Sequence, residues 1–232
     1  MTAVEAVRVA SATRVRVPEA ADDYSESITM ARIHILGASG TGTTTLGAAL
    51  AERLGCLHAD ADTFYWLPTD PPFTTPRSPE ARLALLLSRI EKATSWVFSG
   101  SAISWAMPLE RLYDLIVFLR LDPDLRMERL RRREIADYGA RIGPGGDMEA
   151  ASRIFLEWTA AYDTAGLEQV RSLANHELWL TKQMCPVQRL DAVAPVKDLV
   201  VAMLANLSIL SLCPCDEELG LNVAGGCGRR MP

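Results

Sequence analysis

The segment Gly37-Ala-Ser-Gly-Thr-Gly-Thr-Thr44 constrains this chain more than any other part of it. It follows Arg32 to Leu36, which reads as a short buried strand, and opens a helix carrying Leu46, Ala49, Leu50 and Leu54. A glycine-rich turn in that setting lets successive backbone amides face one point, and the helix N-terminus adds positive potential. The segment therefore reads as a cradle for phosphate oxygens, with Gly37, Ser39, Gly40, Thr41, Gly42, Thr43, Thr44 and Thr45 as its binding residues. Thr44 takes the position whose hydroxyl usually ligates magnesium. Position 43, where such loops carry a lysine, is threonine. A charge-assisted hydrogen bond is worth about 1.5–3 kcal/mol, so another cation is expected to stand in. The competing reading is a glycine turn that binds nothing, or a decayed nucleotide site.

The pattern around the loop alternates strand and helix. Cys56 to His58, Trp96 to Phe98, Leu115 to Leu119 and Val187 to Leu190 read as further strands. Leu83, Leu86, Leu87 and Ile90 fall at helical spacing, as do Ile154, Phe155, Trp158, Ala161 and Tyr162. Asp122-Pro123 is a helix opening, because Asp caps free amides and Pro suits the first turn. Val196, Leu199, Val200 and Met203 mark a last helix. Apolar strands alternating with helices predict a three-layer α/β/α fold around a parallel sheet.

Residues 1–29 and 207–232 lack this periodicity and are expected to be disordered extensions, with Met30 as a plausible native start. The domain is thus expected at 30–206. The net charge of −5 argues against nucleic acid as a partner. Five cysteines without regular spacing suggest no disulfide framework and fit a reducing, cytoplasmic setting. Cys213-Pro-Cys215 with Cys227 lacks a fourth metal ligand nearby. No apolar stretch is long enough to span a membrane.

Gly37 to Gly47, GASGTGTTTLG, resembles the phosphate loop of adenylate-kinase-like proteins, the nucleoside-monophosphate-kinase family of P-loop NTPases. With threonine in place of lysine, the loop is similar to those of archaeal cytidylate kinases and of a bacterial group of ATP-binding, adenylate-kinase-like proteins. The resemblance covers roughly residues 30–206. It implies ATP as phosphoryl donor, Mg²⁺, a small-molecule acceptor, and a short arginine-bearing lid at about 120–147.

Three further features bear on that expectation. Asp60-Ala-Asp62 resembles the Asp-x-Asp of shikimate- and gluconate-kinase-like enzymes, where one Asp helps order magnesium and the other binds or deprotonates the acceptor hydroxyl; the plain alternative is two solvated loop carboxylates. Adenylate kinases carry Asp-Gly after the strand that here ends Ser99-Gly100, which shifts weight for the metal onto Asp60 alongside Thr44. Arg126, Arg129 and Arg133 share one helical face, and Arg129-Leu-x-x-Arg133 resembles a lid entrance, whose guanidinium forks match phosphate oxygens. The plain alternative there is a solvated basic face. Arg141 to Gly146 reads as the lid's hinge or tip, Arg153 as a cation returning after it, and Phe64, Tyr65 and Trp66 as pocket or core. His34, His58 and His176 lack metal-ligand spacing, and His34 is expected to be structural. The catalytic set expected is Asp60, Asp62, Arg129 and Arg133, in an ATP-dependent kinase that is a monomer or small homo-oligomer. A nucleotide-binding regulatory or assembly protein is the alternative.

Overall fold

The computed structural model describes residues 31–212, with side chains through Leu207. The expectations for residues 1–29 and for Cys213, Cys215 and Cys227 lie outside the described residues. Five parallel strands, β1 (Arg32–Gly37), β2 (Leu57–Asp60), β3 (Trp96–Ser99), β4 (Leu115–Arg120) and β5 (Val187–Asp191), form one sheet in the order β2-β3-β1-β4-β5. β1 lies at the centre, so the loop that leaves it opens beside the C-terminal ends of its neighbours, the usual ligand crevice of open α/β sheets.

Period-2 alternation divides the core into two layers. Ile33 and Ile35 of β1, Val97 of β3 and Leu115, Val117 and Leu119 of β4 face one side. There they meet Leu46 and Leu50 of α1 (Thr43–Leu54) and Leu199, Met203, Leu204 and Leu207 of α7 (Val196–Leu212). Leu36, Trp96, Phe98, Ile116 and Phe118 face the other side. Their partners are Phe64 of α2 (Ala61–Tyr65), Leu86 and Ile90 of α3 (Pro79–Ile90), Leu109 of a 3-10 turn (Met107–Leu112), and Trp179 and Leu180 of α6 (Leu173–Leu180). This is the three-layer α/β/α architecture expected from the sequence. His34 lies in the second layer, 1% exposed, with its ring stacked on Phe98 and Tyr113 and Nδ1 3.1 Å from the Phe98 carbonyl.

Helix α4 (Pro123–Tyr138) starts where Asp122-Pro123 said it would: the Asp122 carboxylate accepts from the amides of Asp124 and Leu125 at 3.0 and 3.2 Å. It packs against α5 (Glu149–Ala160), latched by the Ser152 hydroxyl donating to buried Glu134 at 2.6 Å. Two features depart from the sequence reading. Helices α2 and α6 were not anticipated, the first because it is five residues long, the second because its apolar residues follow no clear stripe. The last helix runs past the expected boundary at 206 to Leu212, and Leu207 is 4% exposed within the core. No helix among the described residues is long and apolar enough to cross a membrane.

Candidate active site

Glycine at 42 leaves α1 without a side-chain cap, so the first-turn amides of that helix are free for a ligand. Gly40 and Gly42 both hold positive φ, 87° and 92°, which disfavours any L side chain. Their surroundings differ. A Cβ at Gly40 would meet the Arg126 carbonyl oxygen and Leu130 Cγ, both at 2.9 Å, whereas a Cβ at Gly42 meets nothing within 4 Å. Gly40 is therefore needed to let the loop press against α4, and Gly42 to keep open the space above the free amides. Thr41 closes the turn, its hydroxyl donating to the Ala38 carbonyl at 2.8 Å. The loop forms one wall of a cleft of about 1710 Å³ that also takes in Asp60, Asp62, Arg129 and Arg133.

Strand register brings the carboxylate to the loop. Asp60 ends β2 opposite Ser99 of β3. Its Oδ2 accepts from the Thr44 hydroxyl at 2.6 Å and from the Ser99 hydroxyl at 3.1 Å, and its Oδ1 accepts from the Asp62 amide at 2.9 Å. Behind Ser99 stands His58, Nε2 to Oγ 2.9 Å. Since the single hydrogen of Ser99 goes to Asp60, Nε2 of His58 must carry a hydrogen and donate it. Gly47 makes room for this chain: a Cβ there would lie 2.7 Å from His58 Nε2. Ser99 thus supports Asp60 from behind. Sequence reading gave neither His58 nor Gly47 a part in this.

Asp62 opens onto the cleft, but the surrounding walls strip enough solvent to raise its carboxyl above the usual range; the nearby positive charges of Arg171 and Arg133 oppose that shift. The arginines expected on one face have separated roles. Arg126 is 1% exposed and committed to the protein, one guanidinium nitrogen donating to the Thr159 carbonyl at 2.9 Å and the other paired with Asp163 at 2.6 Å. It is a structural tie between α4 and the end of α5, not a free phosphate cation. Arg129 donates to the Ala192 carbonyl at 3.2 Å, on the loop that follows β5. Arg133 lies over the Phe155 ring at 5.8 Å and faces the cleft. Arg131 and Arg132 are exposed outside it, Arg132 paired with Glu128. Arg153, expected to return a cation to the site, is paired with Glu157 at 3.3 Å on the exposed side of α5. Arg141 lies in the 3-10 turn (Gly139–Ile142) that follows α4 and bridges Asp147 and Asp70, the latter in the segment between α2 and α3, each at 2.7 Å.

Of the aromatics, Phe64 is core, whereas Tyr65 and Trp66 line the cleft. Arg82 stacks on Tyr65 at 3.5 Å. Arg171, which no motif singled out, joins the cleft near Asp62. Among the described residues no three His, Cys, Asp or Glu side chains converge as a metal cage.

No family model matches the chain. Among solved structures, it is similar to a gluconokinase from Sinorhizobium meliloti 1021, with 20% identity, 78% of this chain and 93% of that one covered, and a TM-score of 0.45. It is likewise similar to a shikimate kinase from Bacteroides thetaiotaomicron, at 21% identity, 77% and 98% coverage and a TM-score of 0.47. A shikimate kinase from Acinetobacter baumannii in complex with shikimate gives 17% identity, 82% and 99% coverage and a TM-score of 0.48. The uncharacterized protein YqaC of Bacillus subtilis (strain 168) is 44% identical over 176 residues, which span 76% of this chain and 97% of that protein. Identity at that level over almost the whole relative means that this chain belongs to the YqaC family.

Proposed function

We propose that this protein is an ATP-dependent kinase that transfers the γ-phosphoryl group to a small molecule bound beside Asp62. The observation that carries the reading is the joint presence, in one cleft, of an uncapped helix start behind a glycine loop and of Asp60 held to Thr44 at 2.6 Å. Amides from Gly40 to Thr44 hold the β-phosphate. The Thr44 hydroxyl and the Asp60 carboxylate are hard oxygen donors of the kind Mg²⁺ selects, and that ion leaves its other positions to phosphate and water. Bound there with the nucleotide, Mg²⁺ would neutralise charge on the phosphates. Arg129 and Arg133 offer guanidinium groups to the transferring phosphoryl in place of the lysine absent at Thr43.

Asp62 favours a hydroxyl acceptor. A carboxylate with a raised pKa is a better base for a hydroxyl proton. A nucleoside monophosphate attacks through an already ionised phosphate oxygen, which has no proton to give and would be repelled. The nucleoside-monophosphate kinase expected from the loop is therefore the second choice of acceptor. A nucleotide-binding regulator without turnover is the alternative class, favoured by Thr43 and Ser99 standing where lysine and aspartate are usual.

The deciding experiment is coupled ADP release with Mg-ATP and a panel of sugar acids, polyols and nucleoside monophosphates. Acceptor-dependent turnover is expected with a hydroxyl compound. Nucleotide binding with no turnover on any acceptor would select the regulator.

A further inference from the structure

Beyond Asp62, two groups on the acceptor side of the cleft carry hydrogen-bonding capacity or charge that the described protein leaves unused. Ser101 follows β3 and Gly100, is 7% exposed and lines the cleft. Its Oγ lies 2.9 Å from Nε2 of His176, and Nδ1 of that ring lies 2.9 Å from the Tyr162 hydroxyl. His176 is fully buried and neutral, so it has one ring hydrogen for two hydroxyl partners. A phenol is a stronger acid than an alcohol and the better donor. Tyr162 therefore donates to Nδ1, and Nε2 donates to Ser101. The hydrogen of Ser101 is then free, and no other hydrogen bond of this hydroxyl exists among the described residues. A buried donor left unmade is costly, so its natural acceptor comes from the cleft.

The unused charge is close enough to act on His176, the partner of Ser101. Arg126 and Arg141 are in ion pairs, and Arg129 and Arg133 are assigned above to the transferring phosphoryl group. Arg171 has no ion pair among the described residues. Arg171 precedes α6, its guanidinium 5.7 Å from the centre of the Tyr65 ring, and its charge is felt by both Asp62 and His176. With Asp62 acting as base on the hydroxyl, a neutral polyol would bring this charge no anion of its own.

We propose that Ser101 and Arg171 form a subsite for an anionic oxygen group of the acceptor, a carboxylate or a phosphate, separate from the hydroxyl that is phosphorylated. His176 and Tyr162 act as positioning residues that turn the Ser101 hydrogen towards it. Calling the occupant the acceptor rests on the kinase reading; the anion site itself does not.

The test uses the full chain saturated with Mg²⁺ and a non-hydrolysable ATP analogue, so that the phosphate loop is already filled. Sulfate and acetate are then titrated by calorimetry at constant ionic strength. One of them is expected to saturate a single site, sulfate if the natural group is tetrahedral and acetate if it is planar. Arg171→Gln should weaken that binding about tenfold or more, since the lost hydrogen bonds are charge-assisted, and Arg171→Lys should recover part of it. Ser101→Ala should weaken it about threefold to tenfold, the range for a neutral donor. Melting curves check that each variant folds, and if Arg171→Gln does not, Ser101→Ala decides. No saturable anion binding, or equal binding in the parent and these variants, overturns the subsite. Failure of the analogue to bind at all would instead overturn the kinase reading.

Discussion

Replacing Gly42 and Gly40 separately with alanine should divide ligand binding from stability within one loop. Both residues hold positive φ, so either alanine carries a backbone strain of about 1–2 kcal/mol. At Gly42 that strain is the whole cost to the apo protein, because the new methyl meets nothing within 4 Å. The methyl does enter the space above the uncapped start of α1. If it displaces a phosphate from one amide there, worth about 1.5–3 kcal/mol to a charged partner, ADP affinity should fall by about tenfold to 150-fold. At Gly40 the methyl would lie 2.9 Å from the Arg126 carbonyl oxygen and from Leu130 Cγ, which forces the loop away from α4. Overpacking of this kind adds about 1–3 kcal/mol to the strain. Urea unfolding without ligand should therefore rank Gly40→Ala well below Gly42→Ala, whereas calorimetry with ADP should find Gly42→Ala impaired despite its milder stability loss. ADP affinity within threefold of the parent in Gly42→Ala would show that phosphate does not sit over these amides.

Other outcomes follow from single contacts. Asp60→Asn should depress turnover strongly and blunt its dependence on magnesium while leaving metal-free nucleotide binding largely intact; unchanged turnover and an unchanged magnesium profile would return Asp60 to a loop carboxylate. Thr43→Lys should alter turnover by less than about tenfold, or 1.4 kcal/mol, if the cleft arginines already serve that place, and a hundredfold gain would contradict this. A chain ending at residue 212 should fold fully, but one ending at 206 loses Leu207 from the core and about 1.5–3 kcal/mol of stability in urea, so equal midpoints would place Leu207 outside the core. Burial lowers the pKa of His176 to about 3 and of His34 to about 4. Their depressed values mean that the stability they allow is complete above the unfolded value near 6.5 and is lost as pH falls towards those figures. At about pH 4.5 each should cost about 2.5 kcal/mol, and His176→Gln should flatten the pH dependence of the unfolding free energy between 6.5 and 4.5; an unflattened slope would mean that the ring charges without penalty.

The division between sequence and tertiary structure follows the range of the forces involved. Residues 37–44 declare themselves because a strand, a turn and a helix start are local, and glycine is required by backbone sterics that need no distant partner. The alternation of β1, β3 and β4 was equally legible, since a period of two on apolar strands implies two covered faces. Asp122-Pro123 announced α4 for the same local reason. The arginines show where this stops. Helical spacing put Arg126, Arg129 and Arg133 on one face, but only packing against α5 decided that Arg126 would be buried on Thr159 and Asp163 while Arg133 stayed open. Likewise Asp60 could be suspected from its spacing to Asp62, yet its bonds to Thr44 and Ser99 depend on strand register across segments far apart in the chain. Arg171, Ser101 and His176 carry no motif at all. Their meeting is set by where α6 docks on the sheet, and docking is determined by nonlocal apolar contacts that no short stretch of sequence encodes.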